Sequence, residues 1–377
     1  MLIKNCRIIY KDKIEEGSVL IRAGRIAEIN PTHEEEEEII DGQGLYLSPG
    51  FIDIHIHGAG GYDTMDGSAE AINNISKVIV NYGTTAFLPT TMTCDISDIR
   101  KAVDAAVEAK KKGTEGAEVL GIHLEGPFIS PGMIGAQNPK FVKGPSKETF
   151  DFIVQDNKEH IVTVTIAPEV EGALELIEYL RANGIAASIG HSNATYSEAV
   201  EGIKSGVSHS THLFNAMTGF HHREPGVVGA VFDSEITTET ICDGIHIAYP
   251  SLRAAYKVKT LDKIMLVTDA MMACGMKEGT YSLGGQEVHV KDGAARLGNG
   301  ALAGSILTLD KAIKNVRDNT DYALYEIVKM VTYNAAKHCK AEHRKGLIKK
   351  GYDADLVMFD ENINIKKVIL RGKVYKE

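Results

Sequence analysis

The stretch GFIDIHIHGAGG, residues 50–61, reads as an apolar β-strand that runs into a glycine-rich loop. Side chains alternate between the two faces of a strand, so Asp53, His55 and His57 point one way and the isoleucines between them point the other. Two imidazoles and a carboxylate on one face of an apolar strand either satisfy one another inside a core or bind a ligand. The pattern of the remaining chain favours one of these two interpretations.

Strand-like apolar runs alternate with helical patterns beyond residue 50. Eight runs are predicted as strands: FIDIHIHG (51–58), TTAFLPTT (84–91), VLGIHLEG (119–126), IVTVTIAPE (161–169), IAASIGHS (185–192), VSHSTHLF (207–214), TETICDGI (238–245) and IMLVTDAM (264–271). Helical patterns lie between most of them, at 68–81, 97–112, 146–158, 171–183, 195–205 and 250–259. A long segment that contains HHREPG joins strands six and seven instead. Thr195 and Glu198 are spaced as a capping box that begins one of the helices.

Eight strands with helical crossovers predict an α/β fold, a parallel (β/α)8 barrel of TIM type. Functional groups of such barrels gather at the C-terminal ends of the strands. The predicted strand ends carry ligand-type side chains: His55, His57, Glu125, His191, His212, His246 and Asp269. A doubly wound open sheet is the competing architecture, but it does not normally place such residues at so many strand ends. The barrel is therefore favoured.

The two ends of the chain differ in character from the barrel. Residues 1–49 contain short alternating runs, and residues 346–377 again read as strands with tight turns. Together they predict one small β-sandwich domain, built from both termini and packed beside a barrel of residues 50–345. Helical patterns at about 304–317 and 322–339 separate the last barrel strand from the C-terminal segment. The acidic run Glu34–Glu38 is expected to be a solvated loop.

Composition limits the classes of partner. Of the 377 residues, 44% are hydrophobic and 24% are charged, as in soluble globular proteins. No apolar run approaches the ~20 residues that cross a bilayer, and the N-terminus lacks the apolar core of a signal peptide. The net charge of −10 argues against nucleic acid and anionic membranes as partners. Five scattered cysteines without a CxxC spacing favour a reducing cytoplasm.

The histidines and carboxylates at the strand ends favour a metal site. Imidazole nitrogen and carboxylate oxygen suit divalent first-row metals. The HxH pair alone leaves a core role and a ligand role equally open, but Glu125, His191 and His212 add donors from further strand ends. Burying so many ionisable groups without a metal would cost several kcal/mol. Asp269, taken alone, also suits a helix N-cap, but its place at the end of strand eight favours catalysis.

Seven motifs together resemble the N-acetylglucosamine-6-phosphate deacetylases of the metal-dependent amidohydrolase superfamily. They are PGFIDIHIHG, HLEGPF, GHSNAT, THLFNAM, REPGVVGA, DGIH and VTDAM, and the resemblance covers essentially the whole chain. The HxH motif indicates only the superfamily, whereas HLEGPF together with GHSNAT and THLFNAM is typical of a much smaller group of proteins within it. The resemblance implies hydrolysis of N-acetyl-D-glucosamine 6-phosphate to D-glucosamine 6-phosphate and acetate, in amino-sugar catabolism and cell-wall recycling.

The resemblance also implies a role for each ligand-type residue. Glu125, His191 and His212 would hold one divalent cation, and His55 with His57 would hold a second, with Glu125 bridging. Zinc is expected, and iron, manganese, cobalt and nickel also suit the donor set. Asp269 would be the general acid and base. The implied substrate-binding residues are Ala136, Gln137, Asn215, Ala216, Arg223, His246, Leu302, Ala303 and Gly304.

Arg223 is the candidate phosphate ligand, because arginine binds phosphate with a two-pronged guanidinium. From the residue pattern alone, a surface ion pair between Arg223 and Glu224 is about as plausible as a contact between Arg223 and phosphate. The matching arginine of the family reaches the active site of a neighbouring subunit, which implies a homodimer. The stretch MIGAQN departs from the family, since Gln137 stands where a histidine and Ile134 where a basic residue is usual.

Two alternatives to this function are open, one within the enzymes and one from a different class of function. One is a sister amidohydrolase that acts on another amide or a cyclic imide, which would not need the phosphate pocket around Arg223. The other is a non-catalytic barrel that serves as a binding module. The complete set of metal ligands together with Asp269 argues against that second alternative.

Overall fold

The structure, a computed structural model, describes residues 1–32 and 38–376 as a mixed α/β fold. Residues 34–37 of the predicted acidic loop lie outside the described residues. The strands are β1 (Leu2–Ile9), β2 (Ile14–Arg22), β3 (Arg25–Ile29), β4 (Ile39–Asp41), β5 (Tyr46–Pro49), β6 (Phe51–Ile56), β7 (Gly58–Ala59), β8 (Tyr62–Asp63), β9 (Thr84–Pro89), β10 (Glu118–Val119), β11 (Ile122–Glu125), β12 (Ile161–Ile166), β13 (Ala186–Ile189), β14 (Val207–Ser210), β15 (Thr237–Ile241), β16 (Ile264–Val267), β17 (Gly279–Leu283), β18 (Gln286–Lys291), β19 (Ala294–Leu297), β20 (Leu356–Phe359), β21 (Ile365–Leu370) and β22 (Lys373–Lys376).

Most of the helices connect consecutive strands, and the last three lie between β19 and β20. They are α1 (Ala69–Ile79), α2 (Ile96–Lys112), α3 (Lys147–Val154), α4 (Ala173–Ala182), α5 (Tyr196–Ser205), α6 (Gly226–Phe232), α7 (Tyr249–Val258), α8 (Leu309–Asn319), α9 (Leu324–Val331) and α10 (Tyr333–His338). Short 3₁₀ helices span Thr64–Asp66, Val80–Tyr82, Pro139–Phe141, Gln155–His160 and Leu261–Lys263. Within the described ranges, none of the helices combines the length and the apolar character needed to cross a membrane.

Two parallel sheets form the centre of the molecule. One has the strand order β10-β9-β6, and the other runs β11-β12-β13-β14-β15-β16. Isolated parallel bridges join the sheets on both sides, Thr90 to His123 and Ile56 to Ala270. Each of the eight predicted strands is confirmed, and the third is divided into β10 and β11. The ends of these strands are therefore brought to one side of the fold, where parallel strands present their C-terminal residues.

The predicted capping box is confirmed at the start of α5. Thr195 Oγ1 accepts a hydrogen bond from the backbone N–H of Glu198, and Glu198 Oε2 accepts one from the backbone N–H of Thr195 at 2.7 Å. Helix α6, by contrast, lies in the segment that contains HHREPG, where no helix is predicted. Its residues are buried apart from Phe232, so it lacks the polar face that makes an amphipathic helix recognisable.

Strands from both termini form one mixed eight-stranded sheet. Its order is β22-β21-β20-β5-β1-β2-β3, with β4 paired to β1. The predicted β-sandwich, in which two parts of this sheet would pack face to face, stays a prediction. The N-terminal and C-terminal strands join edge to edge, because β20 pairs antiparallel with β5 through residues such as Leu356 and Pro49. Alternating apolar residues predict strands, but they do not distinguish pairing edge to edge from packing face to face.

The strands β17-β18-β19 form an antiparallel sheet that was not predicted. Because it follows the two parallel sheets along the chain, we call it the third sheet. Its outward residues are polar, and its inward residues Leu283, Val288, Val290 and Ala295 form a small core with Met92 and Met271. Gln286 Nε2 donates a hydrogen bond of 2.6 Å to the carbonyl of Ala136. This sheet therefore packs against the loop that carries two of the predicted substrate-binding residues.

Candidate metal centre and active site

Four imidazoles converge on one buried carboxylate. Nε2 of His191 and Nε2 of His212 lie 3.3 and 3.1 Å from Glu125 Oε1. Nε2 of His55 lies 3.6 Å from the same oxygen, and Nε2 of His57 lies 3.3 Å from Glu125 Oε2. All five side chains are nearly inaccessible to solvent. The structure thus brings together the five residues that the sequence predicts as metal ligands.

The strand ends aim these side chains through an unusual backbone conformation. His191, His212 and Asp269 each lie two residues beyond the end of β13, β14 or β16. Each adopts a positive φ, of 49°, 28° and 48° respectively. Non-glycine residues seldom adopt this left-handed region, and it is concentrated at functional sites. The local strain turns the three side chains from the strand direction towards the centre of the site.

Hydrogen bonds on the far side of the rings fix which nitrogen faces the centre. His57 Nδ1 donates to the carbonyl of Thr90 at 3.2 Å, and His191 Nδ1 donates to the carbonyl of Met133 at 2.9 Å. A neutral imidazole carries one N–H, so the Nε2 atoms of both rings present lone pairs to the carboxylate. Lone pairs that face carboxylate oxygens repel them unless a positive charge, either a proton or a metal cation, lies between them. The donor set therefore fits a metal ion.

His55 is held in the same way by a carboxylate. Its Nδ1 lies 2.8 Å from Oε2 of Glu239, which is fully buried. The same oxygen accepts the backbone N–H of His212 at 3.0 Å, and Oε1 contacts His209 Nε2 at 3.2 Å. Glu239 is not among the residues predicted from the sequence. Its signal is an acidic residue in the interior of the buried run TETI, where a carboxylate is rare unless it is paired.

The electrostatics of the cluster favour bound positive charge. Burial alone lowers the pKa of His57, but hydrogen bonds to Asp269 and Glu125 outweigh burial and raise this pKa to about 9. Burial raises the pKa of Glu125, yet the imidazoles around it hold that pKa well below its usual range. Donor atoms lie within 4.8 Å of one another in three overlapping groups of this cluster, His55–His57–Glu125, Glu125–His191–His212 and His55–His123–Glu239. The first two groups share Glu125, include residues that line a cavity and can each hold a metal ion.

Asp53, the third polar residue of the opening stretch, does not join the donor groups. Its carboxylate accepts hydrogen bonds from the hydroxyl of Thr268 at 2.6 Å and from the backbone N–H of Thr268 at 3.3 Å. Burial raises the pKa of Asp53 to about 7 despite these bonds. Asp53 thus ties β6 to the end of β16, next to the ligand-bearing ends.

A cavity of about 360 Å³ opens above the cluster. The predicted residues on its wall are His57, Glu125, Ala136, Gln137, His191, His212, Asn215, Ala216, His246, Asp269, Leu302 and Gly304. The wall residues that were not predicted are Met92, Gly132, Met133, Ile134, Gly135, Leu283 and Ala301. They are small or apolar residues of the loops and the third sheet, and nothing in their residue types marks them as functional.

Two predicted substrate-binding residues lie off this wall. Ala303 is fully buried, and its methyl group packs in the small core beneath the third sheet. Arg223 is exposed on the loop before α6, where its Nη1 contacts His222 Nε2 at 2.8 Å. Within one chain, Arg223 therefore does not contribute to the wall of the cavity.

Known proteins resemble this chain in sequence and in fold. The profile of the amidohydrolase family matches residues 46–375. An N-acetylglucosamine-6-phosphate deacetylase of Lysinibacillus sphaericus is 40% identical, with 99% of this chain and 97% of that protein covered. The crystal structure of N-acetylglucosamine-6-phosphate deacetylase from Pasteurella multocida gives a TM-score of 0.95 at 32% identity, covering 100% of this chain and 99% of that one. The Mycobacterium smegmatis deacetylase, an aspartate-to-alanine mutant in complex with N-acetyl-D-glucosamine-6-phosphate, gives 0.94 at 27% identity, covering 100% of this chain and 99% of that one.

The fold and the histidine–carboxylate site define an enzyme that hydrolyses amide bonds, and the chain belongs to the amidohydrolase family. Within this family it is similar over its whole length to N-acetylglucosamine-6-phosphate deacetylases, in line with the resemblance of its motifs.

Proposed function

We propose that this protein hydrolyses the acetamide bond of N-acetyl-D-glucosamine 6-phosphate, releasing D-glucosamine 6-phosphate and acetate in amino-sugar catabolism and cell-wall recycling. The observation that carries the proposal is the ring of four imidazoles around Glu125 on the floor of the cavity. Relatives that carry this activity in their names match the chain over nearly its full length.

The metal centre that we propose holds one or two divalent cations. Glu125, His191 and His212 would hold one, and His55 and His57 with Glu125 would hold the other. Nitrogen and oxygen donors suit zinc, which we favour, and also iron, manganese, cobalt and nickel. A bound divalent cation supplies Lewis-acid activation of water and of the acetamide carbonyl.

Asp269 is the residue that we propose to move protons. Its Oδ1 lies 3.2 Å from His57 Nε2, and part of its side chain reaches the cavity. Burial raises the pKa of Asp269, but the nearby His55 and His57 outweigh burial and lower it, so Asp269 is an ionised carboxylate. Asp269 would take a proton from the attacking water and deliver it to the nitrogen of the departing amine, which is otherwise a poor leaving group.

The cavity wall would orient the sugar. Asn215, whose side-chain amide is held by the carbonyls of His212 and Leu213 at 3.2 Å each, lies beside the metal ligands. His246 also lines the wall, with Nδ1 fixed 2.7 Å from Asp243 Oδ2. Ala136, Gln137 and Ala216 complete this part of the proposed site. Leu302 and Gly304 contribute from the segment after the third sheet, and the buried Ala303 connects them.

Phosphate recognition is proposed to come from a second copy of the chain. Arg223 is exposed on a loop, which suits a residue that reaches a neighbouring active site in a homodimer. Its guanidinium can bind two phosphate oxygens at once. An amide or cyclic imide without phosphate would not require this residue, so a dependence on Arg223 separates the proposed substrate from that alternative.

We also propose that the two parallel sheets form one closed (β/α)8 barrel within residues 50–345, since bridges join them on both sides. Residues 1–49 and 346–377 would form the second, small β domain around the eight-stranded sheet. The five cysteines are free, which supports a reducing cytoplasmic location.

The proposal is tested by product analysis of purified protein with measured metal content. Acetate and free amine are quantified with N-acetyl-D-glucosamine 6-phosphate, a cyclic imide and an N-acyl amino acid as substrates. We expect turnover of the phosphorylated sugar that is lost on chelation and regained with zinc. Turnover of the imide or the acyl amino acid, with none of the sugar phosphate, would contradict the proposal in favour of the sister amidohydrolase. Metal uptake without turnover of any of the three amides would contradict it in favour of a binding module.

A further inference from the structure

One buried oxygen contacts both halves of the proposed metal centre. Glu239 Oε2 lies 2.8 Å from Nδ1 of His55 and 3.0 Å from the backbone nitrogen of His212. His55 belongs to the donor group with His57, whereas His212 belongs to the group with His191. Glu239 itself is fully buried and lies off the cavity wall, so it does not contact a substrate.

We propose that Glu239 is a positioning residue that sets the affinity of both cation sites, acting through His55 and through the backbone of His212. The inference rests on the proposed metal-dependent function and adds a residue to it. The other Glu239 oxygen, Oε1, lies 3.2 Å from Nε2 of His209. His209 Nδ1 in turn contacts the hydroxyl of Thr237 at 2.7 Å. His209 is therefore held in place, and it holds the Glu239 carboxylate on the side away from His55.

The effect on His55 follows from its hydrogen bond. Because Nδ1–H of His55 points at a carboxylate, the proton stays on Nδ1 and the lone pair of Nε2 faces the centre. The negative charge of the carboxylate also makes the imidazole a better electron donor, as in other carboxylate–histidine–metal arrangements. Without Glu239 the ring could rotate or change tautomer, and the donor atom would leave the group.

The effect on His212 is conformational. Its positive φ of 28° is unfavourable for a histidine, and its buried N–H requires an acceptor. Glu239 Oε2 is that acceptor, so the carboxylate stabilises the strained turn that aims His212 at Glu125. Both effects depend on Oε2 of Glu239, so loss of that atom should weaken both cation sites.

Two substitutions separate the hydrogen bonds from the charge. In Glu239→Gln the amide oxygen can replace Oε2 and still accept from His55 and His212, while the NH₂ group faces His209 Nε2, which can become an acceptor. This variant loses the charge and keeps the hydrogen bonds. Glu239→Ala loses both. Thr240→Val is the matched control, because Thr240 is a buried neighbour on β15 whose hydroxyl contacts Tyr256 instead of the metal centre.

The experiment is a titration of the metal-free full-length protein with Zn²⁺ against a chromophoric chelator, repeated with Co²⁺ to record the absorption spectrum of each site. Circular dichroism and thermal unfolding of each metal-free variant report whether it is folded. We expect two cations in the wild-type protein and in Thr240→Val. We expect about tenfold weaker binding in Glu239→Gln and about a hundredfold in Glu239→Ala, with altered Co²⁺ spectra.

Three results would overturn the inference in different ways. Wild-type protein that binds two cations, and Glu239 variants that match it in affinity and spectrum, would contradict the role of Glu239 alone. Wild-type protein that binds a single cation would contradict the action of Glu239 on two cation sites, but not the proposed function, which allows one cation. Wild-type protein that binds no cation would contradict both. If Glu239→Ala does not fold, the comparison of Glu239→Gln with Thr240→Val decides the question.

Discussion

The side-chain amide of Gln137 donates a hydrogen bond of 2.8 Å to Oε2 of Glu125, the carboxylate on which the four imidazoles converge. Its own oxygen accepts the backbone N–H of Thr93 at 2.7 Å, which fixes the orientation of the amide. Both polar ends of Gln137 are therefore engaged within the protein. At the position where the resemblance leads us to expect a histidine, this chain has a residue that holds its central carboxylate in place.

Replacement of Gln137 by Leu is expected to lower kcat/KM about 10- to 100-fold, because Glu125 loses the bond that orients it towards the cations. The kinetic constants and the bound metal should be measured on the same preparation, and the metal content should fall with the activity. Unchanged kcat/KM in Gln137→Leu would show that the hydrogen bond to Glu125 is dispensable.

Asp269→Asn keeps the size of the side chain and removes the group that accepts a proton. We expect kcat to fall about 100- to 10,000-fold, with KM and metal content close to the wild-type values. Steady-state kinetics with metal analysis measure this directly. A loss of activity explained entirely by a loss of metal would instead assign Asp269 to metal binding.

Arg223 can be tested by mixing subunits. If it acts in the neighbouring site, Arg223→Gln and Asp269→Asn homodimers should each be weakly active, with KM raised in the former. A heterodimer of the two variants contains one site with both Asp269 and a partner's Arg223. We expect that heterodimer to regain about half of the wild-type activity. Mixed dimers that are no more active than either parent would contradict action between subunits.

Which features were predictable depends on how local their signals are. His55, His57 and Glu125 could be predicted to lie at strand ends, because the alternation and the length of an apolar run indicate a buried strand and its last residue. Glu239 was missed because its partners, His55 and the backbone of His212, lie far away in the sequence. A contact between residues distant in the sequence gives only a weak local signal, which here is a single carboxylate within an apolar run.

The same distinction holds for the fold. Helix α6 has no polar face, and its burial arises from packing that a single segment does not encode. The terminal strands were recognised individually, but the edge-to-edge pairing of β20 with β5 joins residues about 300 positions apart, and it carries no signal in either segment. The exposed position of Arg223 likewise could not be derived from its motif.

A charged network near the boundary of the two proposed domains predicts acid sensitivity. Lys345 lies 2.9 Å from Glu118 and 3.2 Å from Asp353, and Arg344 pairs with both carboxylates. Burial raises the pKa of Glu118, but hydrogen bonds and ion pairs with Arg344 and Lys345 outweigh burial and lower it from 4.5 to about 2. The native state therefore binds fewer protons than the unfolded state between these two values.

The stabilisation from Glu118 should accordingly be complete above pH 4.5 and decline as the pH falls towards 2. We expect Glu118→Gln to cost about 2 kcal/mol in the free energy of unfolding at pH 7, where the ion pairs are intact. Urea denaturation of both proteins at pH 7 and at pH 3 measures the difference. A difference that stays constant or grows on acidification would contradict this assignment.

The most direct test of the central claim is the ratio of kcat/KM for N-acetyl-D-glucosamine 6-phosphate to that for N-acetyl-D-glucosamine, measured by acetate release on metal-loaded protein. We predict a ratio of about 1,000 or more, because a phosphate held by a charge-assisted, two-pronged hydrogen bond contributes several kcal/mol. Equal values for the two sugars, or release of acetate from neither, would contradict a site built for a phosphorylated amino sugar.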